Sequence, residues 1–322
     1  MNISEFRKQT RIRDYVKTNL PDMIRERLSD LNISEVYAKE SDKNNGSVML
    51  GITVVPDGQN LAPCIYVEPY IPPDPAAFEQ EGVWEKIADR LSADFRYALD
   101  AIEPNPEELY LLKDIPERLV LKAVNHDRNE KILSMYPHRD VLNLSVLLEW
   151  EVTCGGRVGY IHVSEEILTL WGKTFDEMYD IALENTMRKY PERIEPLEDV
   201  LKDFLGECAF GLAGSAGSVP RGKSPCFKSP FYYLGTTRAL QGVVVLLYPG
   251  ILKKAYEIVG EPFFVIPSSI NELLILPCSY EPNHKHLDNL VWEVNTYVLD
   301  REEVLSDELY VYDPEEDTLK VI

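Results

Sequence analysis

The chain has 322 residues, 54 acidic against 33 basic, for a formal charge of −21 at neutral pH. That balance repels phosphate backbones and anionic headgroups, which are bound through clustered Lys and Arg, so neither nucleic acid nor a membrane surface is an expected partner. Hydrophobic residues make up 45% of the total, ordinary globular content. The length exceeds a usual domain of roughly 100–200 residues, and two compact units are expected.

The opening MNISEFRKQTRIRDY has no apolar stretch behind its basic residues. No uncharged apolar run approaches the roughly 18 residues of a spanning helix, so a cytoplasmic protein is expected. Cys64, Cys154, Cys208, Cys226 and Cys278 are odd in number and form no C-x-x-C pair, which points to reduced thiols rather than a disulfide framework or a zinc ribbon.

Ile12, Val16, Leu20, Ile24 and Leu28 recur at helical spacing, and Pro21, which lacks an amide proton, is expected to split the helix in two. Val48, Leu50, Ile52 and Val54 alternate as a half-buried strand, with PDGQN as its turn and CIYV as the return. Trp84, Ile87, Ala88, Leu91, Phe95, Ala98, Leu99 and Ile102 mark one face of a long helix. The proline-spaced EPNPEELYLLKDIPER, residues 103–118, is the candidate linker, giving a helix/hairpin/helix unit over 1–112 and a larger unit over 113–322.

In the second unit Leu142, Leu144, Val146, Leu148, Trp150 and Val152 hold a period of two, and Cys154-Gly155-Gly156-Arg157 supplies the turn before VGYIHV. Thr174-x-x-Glu177 has capping-box spacing, so a helix is expected to start at Phe175. EDVLKDFLG is a further short helix. Residues 207–230 are rich in Gly, Ser and Ala, carry three basic residues against one acidic, and are expected to form a mobile loop.

This loop contains Gly217-Ser218-Val219-Pro220-Arg221-Gly222-Lys223-Ser224, a literal match to the phosphate-loop pattern. A phosphate loop must follow a buried strand and open a helix, whereas FGLAGSA is a poor strand and Pro225 and Pro230 bracket only CFKS. The flexible-loop reading is preferred, and no nucleotide or other cofactor is expected. FYYLG, GVVVLLY and PFFVIP then read as strands, with an intervening helix on Ile251, Ala255, Ile258 and Val259 closed by Gly260. If GVVVLLY and PFFVI pair in parallel, that helix is a right-handed crossover. NELLILP is expected to pair antiparallel, Leu287, Leu290, Val291, Val294 and Val298 to form a helical stripe, and LYVYDPEEDTLKVI a closing hairpin. The expected class is α+β, with mixed sheets and helices packed on one face.

VMLGITVV with LAPCIYVEPY, VNHDRNEKIL, YPHRDVLNLSVLLEW, TLWGKTFDEMYDIALENT and GVVVLLYPGILKKAYEIVGEPFFVIPSSINELLILP together resemble an uncharacterised bacterial family found in Firmicutes, domain of unknown function 5688. The most specific segments are Pro137-His138-Arg139, Trp171 to Thr186, and Pro267-Ser268-Ser269 with Glu272. The resemblance implies a shared fold and no assigned chemistry. Members usually carry His where this chain has Asn271, and a shorter connection than residues 207–230.

Residue types leave several candidate sites. Cys278, His284, His286 and Asp288 are zinc-type ligands within 11 positions. His284 and His286 at i, i+2 point apart on a helix, however, and a solvated helix start is preferred to a metal site. His162 shares a strand face with Tyr160 and Val158. His138 and Arg139 sit where a helix meets the central strand and could converge on a carboxylate or phosphate, against the plainer alternative that Arg139 pairs with a nearby carboxylate. Ser268 and Ser269 could serve as nucleophiles, but Ser269-x-x-Glu272 has capping spacing and the nearest histidine, His284, is 15 residues away.

Two functional expectations follow. The first is a cytosolic binding or adaptor protein that engages another protein or a small ligand through a sheet face or the 207–230 loop. The second is a small-molecule hydrolase gathering His138, Arg139, Ser268, Ser269 and Glu272 into one pocket. They are separated by whether those five side chains meet.

Overall fold

The computed structural model describes residues 3–59, 62–72, 74, 77–78, 80–100, 115–154, 157–205, 229–238, 241–281 and 284–322. Most of the expected linker at 103–118 and most of the 207–230 loop, with its phosphate-loop match, lie outside the described residues. The chain divides into two compact units, one of residues 1–115 with 151–161 and one of residues 116–150 with 162–322.

In the first unit α1 (Ile3–Thr18) and α2 (Leu20–Arg27) break at Asn19, with Pro21 in the first turn of α2 where its missing N–H costs nothing. A three-stranded antiparallel sheet follows, in order β1 (Ile33–Asp42), β2 (Val48–Pro56), β3 (Cys64–Tyr66). The third helix, α3 (Val83–Asp100), lays Ile87, Ala88, Leu91 and Phe95 into a core with Val16, Leu20, Ile24 and Leu28 of the first two helices and Leu50, Ile52 and Val54 of β2. Non-directional burial of these apolar faces holds the layer together.

Two further sheets follow. One has four strands, β4 (Leu119–Asn125), β6 (Leu144–Cys154) and β5 (His138–Val141) in that order, with β7 (Arg157–His162) also pairing to β6. The other has six, in order β13 (Thr318–Val321), β12 (Tyr310–Asp313), β10 (Phe263–Ser269), β11 (Glu272–Pro277), β9 (Tyr232–Thr236), β8 (Glu192–Pro196). Every described strand pair is antiparallel, including β10 with β11 and β11 with β9. The fold is therefore α+β, with no parallel crossover among the described strands. The segment expected as the strand GVVVLLY is a 3-10 helix, Gly242–Leu247. Val243, Val244 and Val245 are all buried, so the run is apolar on every side, and a short run of that kind carries no period that separates strand from helix.

Ser164 caps α4 (Glu165–Trp171), which Gly172 closes in the left-handed conformation. Thr174 opens α5 (Phe175–Lys189) with both halves of the capping box in place: its hydroxyl accepts from the Glu177 amide at 3.3 Å, and the Glu177 carboxylate accepts from the Thr174 amide at 2.9 Å. Removing the hydroxyl with Thr174→Ala is expected to lower the unfolding free energy by about 1 kcal/mol in urea denaturation. Beyond it lie α6 (Leu197–Leu205), α7 (Ile251–Val259), ended at Gly260 with φ 85, and α8 (Lys285–Tyr297). Along the expected stripe of α8 only Leu287 and Val291 are buried, while Leu290 and Val298 are exposed. On α7, Ile251 and Ala255 are buried and Ile258 is exposed.

Three buried tyrosines tie this unit to pH. Burial pushes Tyr233 and Tyr310 up to about 12, and burial with the nearby Glu192 carboxylate pushes Tyr248 up as well. The Tyr248 hydroxyl donates to the carbonyls of Tyr190 at 2.8 Å and Thr186 at 3.3 Å, so its ionised form would lose both bonds. In the unfolded chain tyrosine ionises near ~10. The folded state thus holds these protons longer, and the stability they confer is complete below about pH 10 and lost as pH rises toward about 12. The urea midpoint is expected to fall between about pH 9.5 and about pH 11.5, and Tyr248→Phe, which cannot ionise, to fall less.

Candidate functional site

The four-stranded sheet sorts its side chains by a period of two. Asp140 pairs with Ser145, His138 with Leu147, Val124 with Ser145, Lys122 with Leu147 and Val120 with Glu149, and residues directly opposite each other share a face. His138, Asp140, Ser145, Glu149 and Lys122 therefore stand on one face. Arg139, Leu121 and Val146 stand on the other, against α5. There Arg139 donates to Asp176 at 2.9 Å, and its guanidinium lies 3.7 Å from the centre of the Tyr179 ring.

At one end of the polar face three groups converge. His126 follows β4 in a tight turn: the Asn125 side chain accepts from the Arg128 amide at 2.9 Å, and Asn129 donates back to the Asn125 carbonyl at 2.8 Å. The His126 amide donates to the Asn143 carbonyl at 3.0 Å, which pins the turn to the β5–β6 hairpin. His126 Nδ1 lies 3.2 Å from Asp140 Oδ1 and 2.8 Å from Ser145 Oγ, and His138 Nε2 lies 3.8 Å from the same Asp140 oxygen. Among the described residues His126, His138 and Asp140 are the one set of three imidazole, thiol or carboxylate groups whose ligand atoms all lie within 4.8 Å of one another.

One support of this cluster is fully buried. Ser145 is 0% exposed and donates to Asp140 Oδ1 at 2.6 Å. That bond, together with the His126 and His138 imidazoles, holds the Asp140 carboxyl below the usual carboxylate range, so it is ionised at neutral pH. His138 Nδ1 lies 3.0 Å from the Tyr136 carbonyl. A carbonyl can only accept, so Nδ1 carries the proton and Nε2 is left with its lone pair toward Asp140 in the neutral ring. The hairpin turn is clamped in its own right: Leu142 has φ 58, Asn143 Nδ2 donates to Ser306 Oγ at 2.8 Å and Glu308 Oε2 at 2.7 Å, and Tyr310 donates to Asn143 Oδ1 at 2.7 Å. An Arg128–Asp307 ion pair closes the same corner.

Further along the face Leu147 is buried with Val124, Ile132 and Leu133, and Tyr136 packs on them. Past it comes a buried carboxylate, Glu149, whose side chain is 3% exposed. Its Oε1 accepts from Lys122 Nζ at 3.1 Å and lies 3.4 Å from His162 Nδ1, and its Oε2 accepts from Gln241 Nε2 at 3.1 Å. The Tyr136 ring stands 5.0 Å from His162. Three of the chain's five histidines thus lie along one sheet face.

The other sequence candidates are placed elsewhere, each in its own local bonds. Ser268 Oγ donates to Glu272 Oε1 at 3.3 Å, and Ser269 Oγ accepts from the Asn271 amide at 3.0 Å, both within the β10–β11 turn. Asn271, where the resemblance expects histidine, accepts from the Gln241 amide at 3.2 Å. The five residues of the hydrolase expectation are thus distributed over two faces of β5 and a separate hairpin, and not brought together by any described bond. Cys278 packs beside Leu287 and Val291 of α8, with burial pushing its thiol up. His284 precedes that helix and the exposed His286 lies 3.8 Å from Glu281, so these residues form no ligand set among the described residues.

Sequence matching over residues 12–314 decides the family. The chain belongs to the Family of unknown function (DUF5688). The match includes the whole of the histidine–carboxylate face, both its clamps and the β10–β11 turn, so within this family member the site is part of the matched region rather than an appendage. No curated protein and no solved structure matches the chain. No helix among the described residues is long and apolar enough to cross a membrane.

Proposed function

We propose that this DUF5688 protein is a binding protein whose ligand seats at the His126–His138–Asp140 end of the four-stranded sheet. One observation carries the reading. Two imidazoles and an ionised carboxylate meet at a half-exposed corner, and the groups that orient them, Ser145 and the Tyr136 and Asn143 carbonyls, are fixed by hydrogen bonds. Side chains locked by packing and supporting bonds in this way are pre-organised for a ligand, which lowers the ordering cost of binding.

The hydrolase reading has no comparable support. A nucleophilic serine needs an adjacent base and an approach for substrate. Ser145, beside His126, is fully buried and spends its proton on Asp140, while Ser268 and Ser269 are bonded within a turn.

The test is a thermal-unfolding screen of the full chain against divalent cations, inorganic phosphate and small carboxylates, with His126→Ala beside the wild type. At least one class is expected to raise the wild-type midpoint and to lose that effect in the variant. Equal shifts in both proteins, or none, would refute the assignment of the site.

A further inference from the structure

Resting on that reading, we infer that the ligand is a single divalent transition cation of the zinc type, held by His126, His138 and Asp140 and open to solvent on its remaining side. The donor set is the first argument. Two imidazoles with one carboxylate suit zinc, cobalt, nickel and ferrous iron, whereas calcium and magnesium require shells of oxygen.

Spacing is the second. Ligand bonds of about 2.0–2.1 Å in a tetrahedron place donor atoms roughly 3.3 Å apart. His126 Nδ1 lies 3.2 Å from Asp140 Oδ1 as the hydrogen-bond donor, so the cation takes the place of that ring proton, and His138 Nε2 lies 3.8 Å from the same oxygen. All three donor atoms lie within 4.8 Å of one another.

The supporting bonds are the third. Metal-binding histidines characteristically donate their other ring proton to a carbonyl or carboxylate, and ligating carboxylates are themselves hydrogen-bonded. His138 does the first through Tyr136 and Asp140 the second through Ser145. An anion is the poorer occupant, because the ionised Asp140 lies at the centre of the cluster and repels it.

The site supplies three protein donors, and their side chains are 41%, 27% and 57% exposed for His126, His138 and Asp140. Structural zinc sites are closed by four protein ligands, while a site with three keeps a position for water or an exogenous ligand. The cation is therefore exchangeable with the medium rather than locked into the fold.

Full-length protein stripped with chelator is titrated calorimetrically with Zn(II), Co(II), Mg(II) and Ca(II). One Zn(II) per chain is expected, with Co(II) binding and no saturable uptake of Mg(II) or Ca(II). His126→Ala, His138→Ala and Asp140→Asn are each expected to weaken Zn(II) binding at least 100-fold, and Ser145→Ala about 10-fold to 100-fold through loss of the carboxylate's orientation. Metal-free unfolding curves establish that each variant folds. His138→Gln, with Co(II) absorption as the readout, replaces any variant that does not. Zn(II) uptake unchanged by these substitutions, or no saturable uptake, would overturn the inference. Histidine-dependent stabilisation by phosphate without cation uptake would overturn it while leaving the binding reading intact, and the absence of both would remove the two together.

Discussion

Glu149→Ala is expected to lower the stability of the fold by about 3–5 kcal/mol. Glu149 is a charged side chain at 3% exposure in the middle of β6, and it survives there because both oxygens are engaged, by Lys122 on one side and Gln241 on the other. Removing it takes from the Lys122 ammonium, which is only 27% exposed, the carboxylate it donates to, and leaves the Gln241 amide without its acceptor. Breaking a buried pair at one partner costs much more than replacing both. The double variant Glu149→Leu/Lys122→Leu is accordingly expected to recover most of the loss. Urea unfolding of the two variants and wild type separates the cases. A loss under about 1 kcal/mol for the single variant, the size of an exposed pair, would show that water reaches Glu149.

Gly242→Ala is expected to cost about 3 kcal/mol, at the upper end of what overpacking a tight core brings. Gly242 opens the 3-10 helix and is buried against the β10–β11 turn. A Cβ built there lies 2.6 Å from the Asn271 carbonyl carbon and overlaps its oxygen, and backbone cannot step aside as a side chain can. Two bonds depend on that approach, the Gln241 amide to Asn271 Oδ1 at 3.2 Å and the Val243 amide to the Ile270 carbonyl at 3.3 Å. Gly159→Ala is the control: its new methyl meets Val152 Cγ2 at 3.5 Å, an ordinary contact, and the change is expected to stay within about 1 kcal/mol. Chemical denaturation of both variants measures the contrast.

The sequence made some of this architecture readable and hid the rest for identifiable reasons. β6 alternates because one of its faces is apolar along its length, and α5 announces itself through Thr174 and Glu177, so local rules and the fold agree. The first strand escapes because ISEVYAKESD exposes half of its residues and leaves Val36 as its single buried hydrophobic position. The strand LVLKAVN escapes for the opposite reason: six of its seven residues are buried, so no alternation survives. Gly242–Leu247 is read as a strand because three successive valines carry strand propensity, whereas it follows Gln241 in the left-handed conformation and forms a 3-10 helix.

At the site, His138 was visible and its partners were not. A period of two across His138-Arg139-Asp140 already separates Arg139 from His138 and joins His138 to Asp140, a signal that the motif Pro137-His138-Arg139 obscured. The tight Leu142–Asn143 turn then places Ser145 opposite Asp140. His126 could not be reached in this way. It arrives through the pairing of β4 with β6, which joins Asn125 to Leu144, and sequence patterning does not specify which strands become neighbours.

The most direct test of the account is a crystal of the full chain equilibrated with Zn(II) and measured at the zinc absorption edge. The account predicts one strong anomalous peak about 2 Å from a ring nitrogen of His126, a ring nitrogen of His138 and an oxygen of Asp140. Density at Cys278, His284 or His286 with none between His126 and His138 would contradict it.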